Sequence, residues 1–89
     1  MYLHIGNNKS IKKDRIIGIF DLDTATVSRT GKKFINDMER SGLVEYADYD
    51  LPRSFVLCEC EGKYKVMLSR ISTAGLKARA EAQLGAEEE

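Results

Sequence analysis

The chain has one histidine, one proline and two cysteines among its 89 residues. Each scarcity removes a class of chemistry. His4 is the only imidazole and stands far in sequence from either cysteine, so a paired nucleophile and base has no local support. Cys58 and Cys60 are separated by one residue. That spacing favours neither a structural disulfide nor a four-ligand zinc site. They read as buried free thiols in a strand, because cysteine behaves as a small hydrophobe in cores. There is no GxxxxGK[ST] loop and no GxGxxG fingerprint for nucleotide phosphates. Acids are plentiful, but no pair is held by an obvious scaffold as general acid and base. Asp21 and Asp23 read as a solvated strand end rather than a metal pair. No stretch approaches the roughly 20 apolar residues of a membrane span, and segment 1–19 has no long apolar core of the kind a secretion signal needs. These absences predict a cytoplasmic chain that is not an enzyme, with no cofactor and no metal.

Charge is what the chain has in quantity, and its placement matters more than its total. Fourteen Lys and Arg balance 14 Asp and Glu. Three of the acids are the terminal Glu87, Glu88 and Glu89, so the body up to residue 86 holds 14 bases against 11 acids. Lys9, Lys12, Lys13 and Arg15 form one basic group, opposed only by Asp14. Arg29, Lys32 and Lys33 form a second group with no acid among them. A neutral average can hide a positive face, and such a face gathers phosphates.

The length predicts a single domain, spanning 1–84, with an acidic flexible tail at 85–89. The composition, 43% hydrophobic and 31% charged, fits a soluble globular chain. A chain of this size buries only about 60 to 65% of its surface, so a partner copy often completes the core.

Tyr2 to Ile5 reads as an opening strand broken by a turn at Gly6, Asn7 and Asn8. Ile16 to Phe20 reads as a second strand, apolar on both faces. Val27, Phe34, Ile35 and Met38 predict a helix from Thr24 to about Ser41, stopped at Gly42. Gly31 inside it suggests close packing or a shifted start. Leu43 to Tyr46 reads as a short strand, and Asp48 to Pro52 as loop. Ser54 to Glu61 is a strand with apolar residues on both faces, returning through a Glu61–Gly62 turn into Tyr64, Val66 and Leu68. A last, weaker helix starts near Ser72 or Thr73. The fold class is α+β: a small antiparallel sheet with one main helix and a weaker C-terminal helix.

The basic residues have two readings. Lys12 and Lys13 on a loop, and Arg15 leading a strand, suit contacts to backbone phosphates. Arg29, Lys32 and Lys33 in the first part of the helix oppose its dipole, and phosphate binding would offset that cost. A solvated helix face explains the same lysines without a ligand. Arg53, directly after Pro52, is held at the mouth of a strand.

The runs MYLHIGNNKSIKKDRIIGIFDLD, MERSGLV and LPRSFVLCECEGKYKVMLSRIS resemble the small bacterial extracellular-matrix regulators of the Rem family, in particular its shorter RemB-like branch. The resemblance covers residues 1 to about 75. Through the family's RemA-like branch it implies a LytTR-like fold and a ring-forming, DNA-binding regulator of biofilm-matrix genes. By position, the family's strand-leading arginine falls on Arg15, and its arginine-rich loop on the segment ending at Arg53. The family's adjacent arginine pair is replaced here by Leu51 and Pro52. The combined expectation is a homo-oligomer that binds double-stranded DNA through Arg15, Arg53, Lys12, Lys13, Arg29, Lys32 and Lys33. Its copies would meet through Phe55, Leu57, Ile17 and Ile19. The rival is an interaction or structural module that regulates through a protein partner without touching DNA.

Overall fold

A computed structural model describes residues 2–48 and 51–88, with 82–88 as backbone only. The fold is α+β. The element order is β1 (Tyr2–Gly6), β2 (Lys9–Lys12), a 3-10 turn (Lys13–Arg15), β3 (Ile16–Asp21), α1 (Leu22–Val27), α2 (Arg29–Arg40), β4 (Val44–Tyr46), β5 (Ser54–Cys60), β6 (Lys63–Ser69) and α3 (Thr73–Glu88). β1 and β2 form a hairpin, and the other four strands form a sheet in the order β3-β5-β6-β4.

The strands depart from the expected pattern in two places. The basic segment after Asn8 is a strand, not a loop. Asn7 and Asn8 both take positive φ (47° and 63°), the conformation of a two-residue hairpin turn that matches strand twist. Only Ile11 in β2 is buried, so charge masks the alternation. The sheet is also not purely antiparallel, because β4 pairs with β6 in parallel. β3 leads through two helices to β4, and a helical crossover returns a strand parallel to the one it left.

The expected single helix is two. Ser28 has an extended backbone (φ −81°, ψ 146°), and its hydroxyl accepts the Gly31 amide at 2.9 Å to start α2 afresh. A methyl group on Gly31 would strike the carbonyl oxygen of Ala25, so the sharp joint between α1 and α2 requires glycine there. At the far end the Leu43 amide donates to the Met38 carbonyl at 2.9 Å, and Gly42 takes φ 72°. That is the glycine stop predicted from the residues.

Alternating residues of β5 and β6 feed two separate cores. On one face Val56, Cys58 and Met67 pack with Leu3, Ile5 and Ile11 of the hairpin and Leu76 of α3. On the other, Phe55, Val66 and Leu68 pack with Leu22, Ala25, Ile35 and Met38 of the helical pair. The sheet is therefore the middle of three layers. Buried serines lock the layers: Ser69 donates to the Ile5 carbonyl and Ser54 to the Ile71 carbonyl, each at 2.7 Å. α3 has a thin apolar face. Its fully buried Leu76, worth about 2 to 3 kcal/mol, is reinforced by the Lys13 ammonium donating to the Ala80 carbonyl at 2.8 Å. Its backbone is helical through Glu88, and Glu89 lies outside the described residues.

Gly31→Ala separates packing from propensity. Propensity alone predicts a gain of about 1 kcal/mol. The contact with Ala25 predicts a net loss of about 1 to 3 kcal/mol in urea unfolding.

Candidate nucleic-acid interface

The basic residues fall on different layers of the molecule. Lys12 ends β2, in the layer that covers the Val56 face. Arg29, Lys32 and Lys33 occupy the start of α2, in the layer that covers the Phe55 face. Within one copy the sheet thus stands between the two basic groups, and they do not converge.

Arg15 and Arg53 sit at opposite ends of β3. Arg15 precedes Ile16, whereas Arg53 precedes Ser54, the partner of Asp21. Six strand residues separate those ends by about 17 Å. The Arg53 backbone is fixed: its amide donates to Ser69 (2.8 Å) and its carbonyl accepts from Leu22 (3.1 Å). Its side chain is exposed. Arg15 closes the 3-10 turn rather than opening the strand. Its side chain is 47% exposed and reaches Asp14 only at 4.0 Å, a contact worth little in water.

Several other cations are already engaged. Lys13 clamps α3. Lys33 donates to Asp37 at 2.8 Å, and this hydrogen bond holds the Asp37 carboxyl below its ordinary range while raising the Lys33 ammonium. Lys9 and Lys65 share Glu45, at 3.6 and 3.3 Å. Lys12, Arg29, Lys32 and Arg53 have no ion-pair partner among the described residues and remain available to an anion.

Asp21 has a structural role. Its carboxylate accepts the Thr24 amide at 3.2 Å and caps α1. Among the described residues no three His, Cys, Asp or Glu side chains gather where they could hold a metal. No described helix is long and apolar enough to cross a membrane.

The residues expected at a contact between copies divide in two. Phe55 is 4% exposed and lies in its own core. Leu57 and Ile19 pack against the two cores from the inside. Ile17 is 52% exposed. Phe20 joins it on β3, 43% exposed and stacked on Phe55 with ring centroids 5.1 Å apart. Sequence reasoning passed over Phe20, although Gly18 two positions earlier is a signal. A Cβ on Gly18 would lie 2.7 Å from the Phe20 ring, so the glycine lets the ring fold back over its strand. β3 ends the sheet order, and one side of its backbone has no strand partner among the described residues.

Cys60 is a second residue placed unexpectedly. Cys58 is buried, but Cys60 is exposed. It is the last residue of β5 before the Glu61–Gly62 turn, and that position in the hairpin is the signal. Burial raises the Cys58 thiol pKa, with the nearby Lys65 charge opposing the shift. Tyr46 is exposed, and Tyr49 lies outside the described residues.

No known protein family and no curated protein sequence matches this chain.

Thiol reactivity follows directly. In the native protein one thiol, Cys60, reacts promptly with a disulfide reagent. Cys58 reacts at least about tenfold more slowly until denaturant is added, since reaction needs an accessible thiolate. Equal native rates would contradict this burial pattern.

Proposed function

We propose that this chain is a non-enzymatic regulator that self-associates along β3 and binds double-stranded DNA through the arginines at the two ends of that strand. The observation that carries this reading is the character of β3. It is an unpaired sheet edge with the exposed apolar side chains of Ile17 and Phe20. Native edges of this kind are normally charged, shortened or covered. The irregular register between Ile16 and Gly18 blunts the edge only at its start.

Joining copies here also repairs the division of charge. In an antiparallel pairing of two β3 strands, the Arg15 end of one copy meets the Arg53 end of the other. Each end of the joint then has two guanidiniums from different chains, a geometry suited to phosphates. Lys12, Arg29 and Lys32 add long-range attraction, and Lys13 and Lys33 contribute less because each already has a partner. Few rigid side chains are placed to read base edges, so preference among DNA sites comes mainly from shape and bending. The resemblance to the Rem family supports the same reading. It extends it to a LytTR-like architecture, a cytoplasmic setting and control of extracellular-matrix genes, and to a ring of copies, which needs a second contact because the antiparallel β3 joint closes on two.

A second reading is favoured by one specific observation. The family's arginine pair is absent at Leu51 and Pro52, and Leu51 is 87% exposed. A loop that presents leucine in place of arginine suits a protein partner better than DNA.

Duplex binding by fluorescence anisotropy, with molar mass by light scattering, separates the two. Arg15→Ala keeps the wild-type mass, weakens DNA binding by about tenfold or more, and lowers the salt dependence by about one phosphate contact per participating copy. Ile17→Lys leaves a folded monomer that has lost DNA binding. A wild-type assembly with no salt-sensitive DNA binding would favour the protein-partner reading. A wild-type monomer would overturn both the β3 joint and the DNA surface built on it.

A further inference from the structure

The unexplained exposure of Cys60 draws attention to the turn end of the β5–β6 hairpin. Cys58 and Cys60 are alternate residues of one strand, so they project from the same face. Both line a single open cavity of about 180 Å³, together with Met67, Ile11, Arg15 and Lys65. Burial as a small hydrophobe accounts for Cys58 alone. It gives no reason for a second thiol at the solvent-facing side of the same cavity.

We propose that Cys58 and Cys60 form a two-thiolate binding site for a soft d10 metal ion of the Cu(I) class. Spacing is the first argument. Alternate residues of a strand lie about 6.6 Å apart with nearly parallel Cα–Cβ bonds. A disulfide needs Cβ atoms about 3.5 to 4.5 Å apart, so this pair cannot close one while the strand stays regular. Two opposed metal–sulfur bonds of about 2.3 Å each span about 4.6 Å. The sulfurs reach that separation when the two side chains lean towards each other from the strand.

The donor set is the second argument. Thiolate and thioether ligands select Cu(I) over harder ions, and the thioether of Met67 lines the same cavity. Zinc would require four ligands, and the described residues gather no such group. A two-coordinate ion requires only the two sulfurs present.

Charge is the third. On binding, each thiol releases its proton to solvent and keeps its electron pair for the metal, with no change of oxidation state. Two thiolates and one monovalent cation leave a net charge of −1. Arg15 and Lys65 line the cavity and oppose that charge, Lys65 less because Glu45 already holds it, while Glu59 is the one acid among the described lining residues. The inference revises the expectations of buried free thiols and of no metal, and does not rest on DNA binding.

The test uses the whole chain and Cu(I) under anaerobic conditions, in competition with the chromophoric chelator bicinchoninate. The expected result is one ion per chain, with both thiols protected from alkylation while it is bound. Cys60→Ser weakens the competition by more than about a hundredfold, beyond the usual loss on removing an outer-shell partner. Cys58→Ser does the same. Because Cys58 lies in the core, circular dichroism checks that this variant is folded, and Cys60→Ser stands as the decisive variant if it is not. Met67→Leu gives a smaller loss. The proposal is overturned if the wild-type chain withdraws no copper from bicinchoninate, or if Cys60→Ser competes as well as the wild type. Binding of several ions per chain, unchanged in the serine variants, would also overturn it.

Discussion

The burial of both faces of the β5–β6 hairpin is the constraint on which the rest of the molecule depends. Its alternating side chains are apolar in both directions, so one covering layer cannot satisfy them. The chain supplies two, a small hairpin with α3 on one side and a bent helical pair on the other. Those two cores take up every buried apolar side chain of the described residues but leave others, Ile17 and Phe20 of β3 among them, exposed. They leave β3 with one face partly covered and one edge without a strand partner among the described residues. The same layering carries the two basic groups to opposite sides of the sheet. A single copy therefore keeps its two basic groups apart, and β3 is the edge at which the proposed joint would form.

Much of this arrangement could be read from the residues. The strands at Ile16, Ser54 and Tyr64, the Glu61–Gly62 turn, the Gly42 stop and the two-sided cover of β5 all follow from periodicity and turn chemistry. What escaped was carried by single residues whose partners are distant in sequence. Gly31 signalled an irregular start, but only its approach to Ala25 reveals two helices. The strand at Lys9–Lys12 rests on one buried isoleucine. The parallel pairing of β4 depends on the crossover rather than on any residue within it. In the candidate interface, residue type identified the arginines, but the length of β3 sets their separation. Lys13 is an ordinary surface lysine by sequence and a clamp on α3 in the fold. Phe55 looked available to a neighbour because its strand was apolar on both faces, and the helical pair covers it.

Arg15 links the two ends of the account. It leads the uncovered strand and also borders the cavity that holds the cysteine pair. Its nearest acid, Asp14, is too far away and too exposed to neutralise it. An anion at either place would therefore feel the same guanidinium. A phosphate at the end of β3 and a negatively charged metal–thiolate centre would compete for it. Such competition would couple the two proposed sites.

Amide hydrogen exchange of β3, followed at low and high protein concentration, reports whether that edge is covered by a second copy. The backbone groups that β5 leaves unbonded exchange freely in an isolated copy and become protected when a second strand adds. If copies join through β3, protection of those β3 amides rises with protein concentration, while β5 and β6 stay protected throughout. Exchange of β3 that is identical at every concentration would contradict the joint.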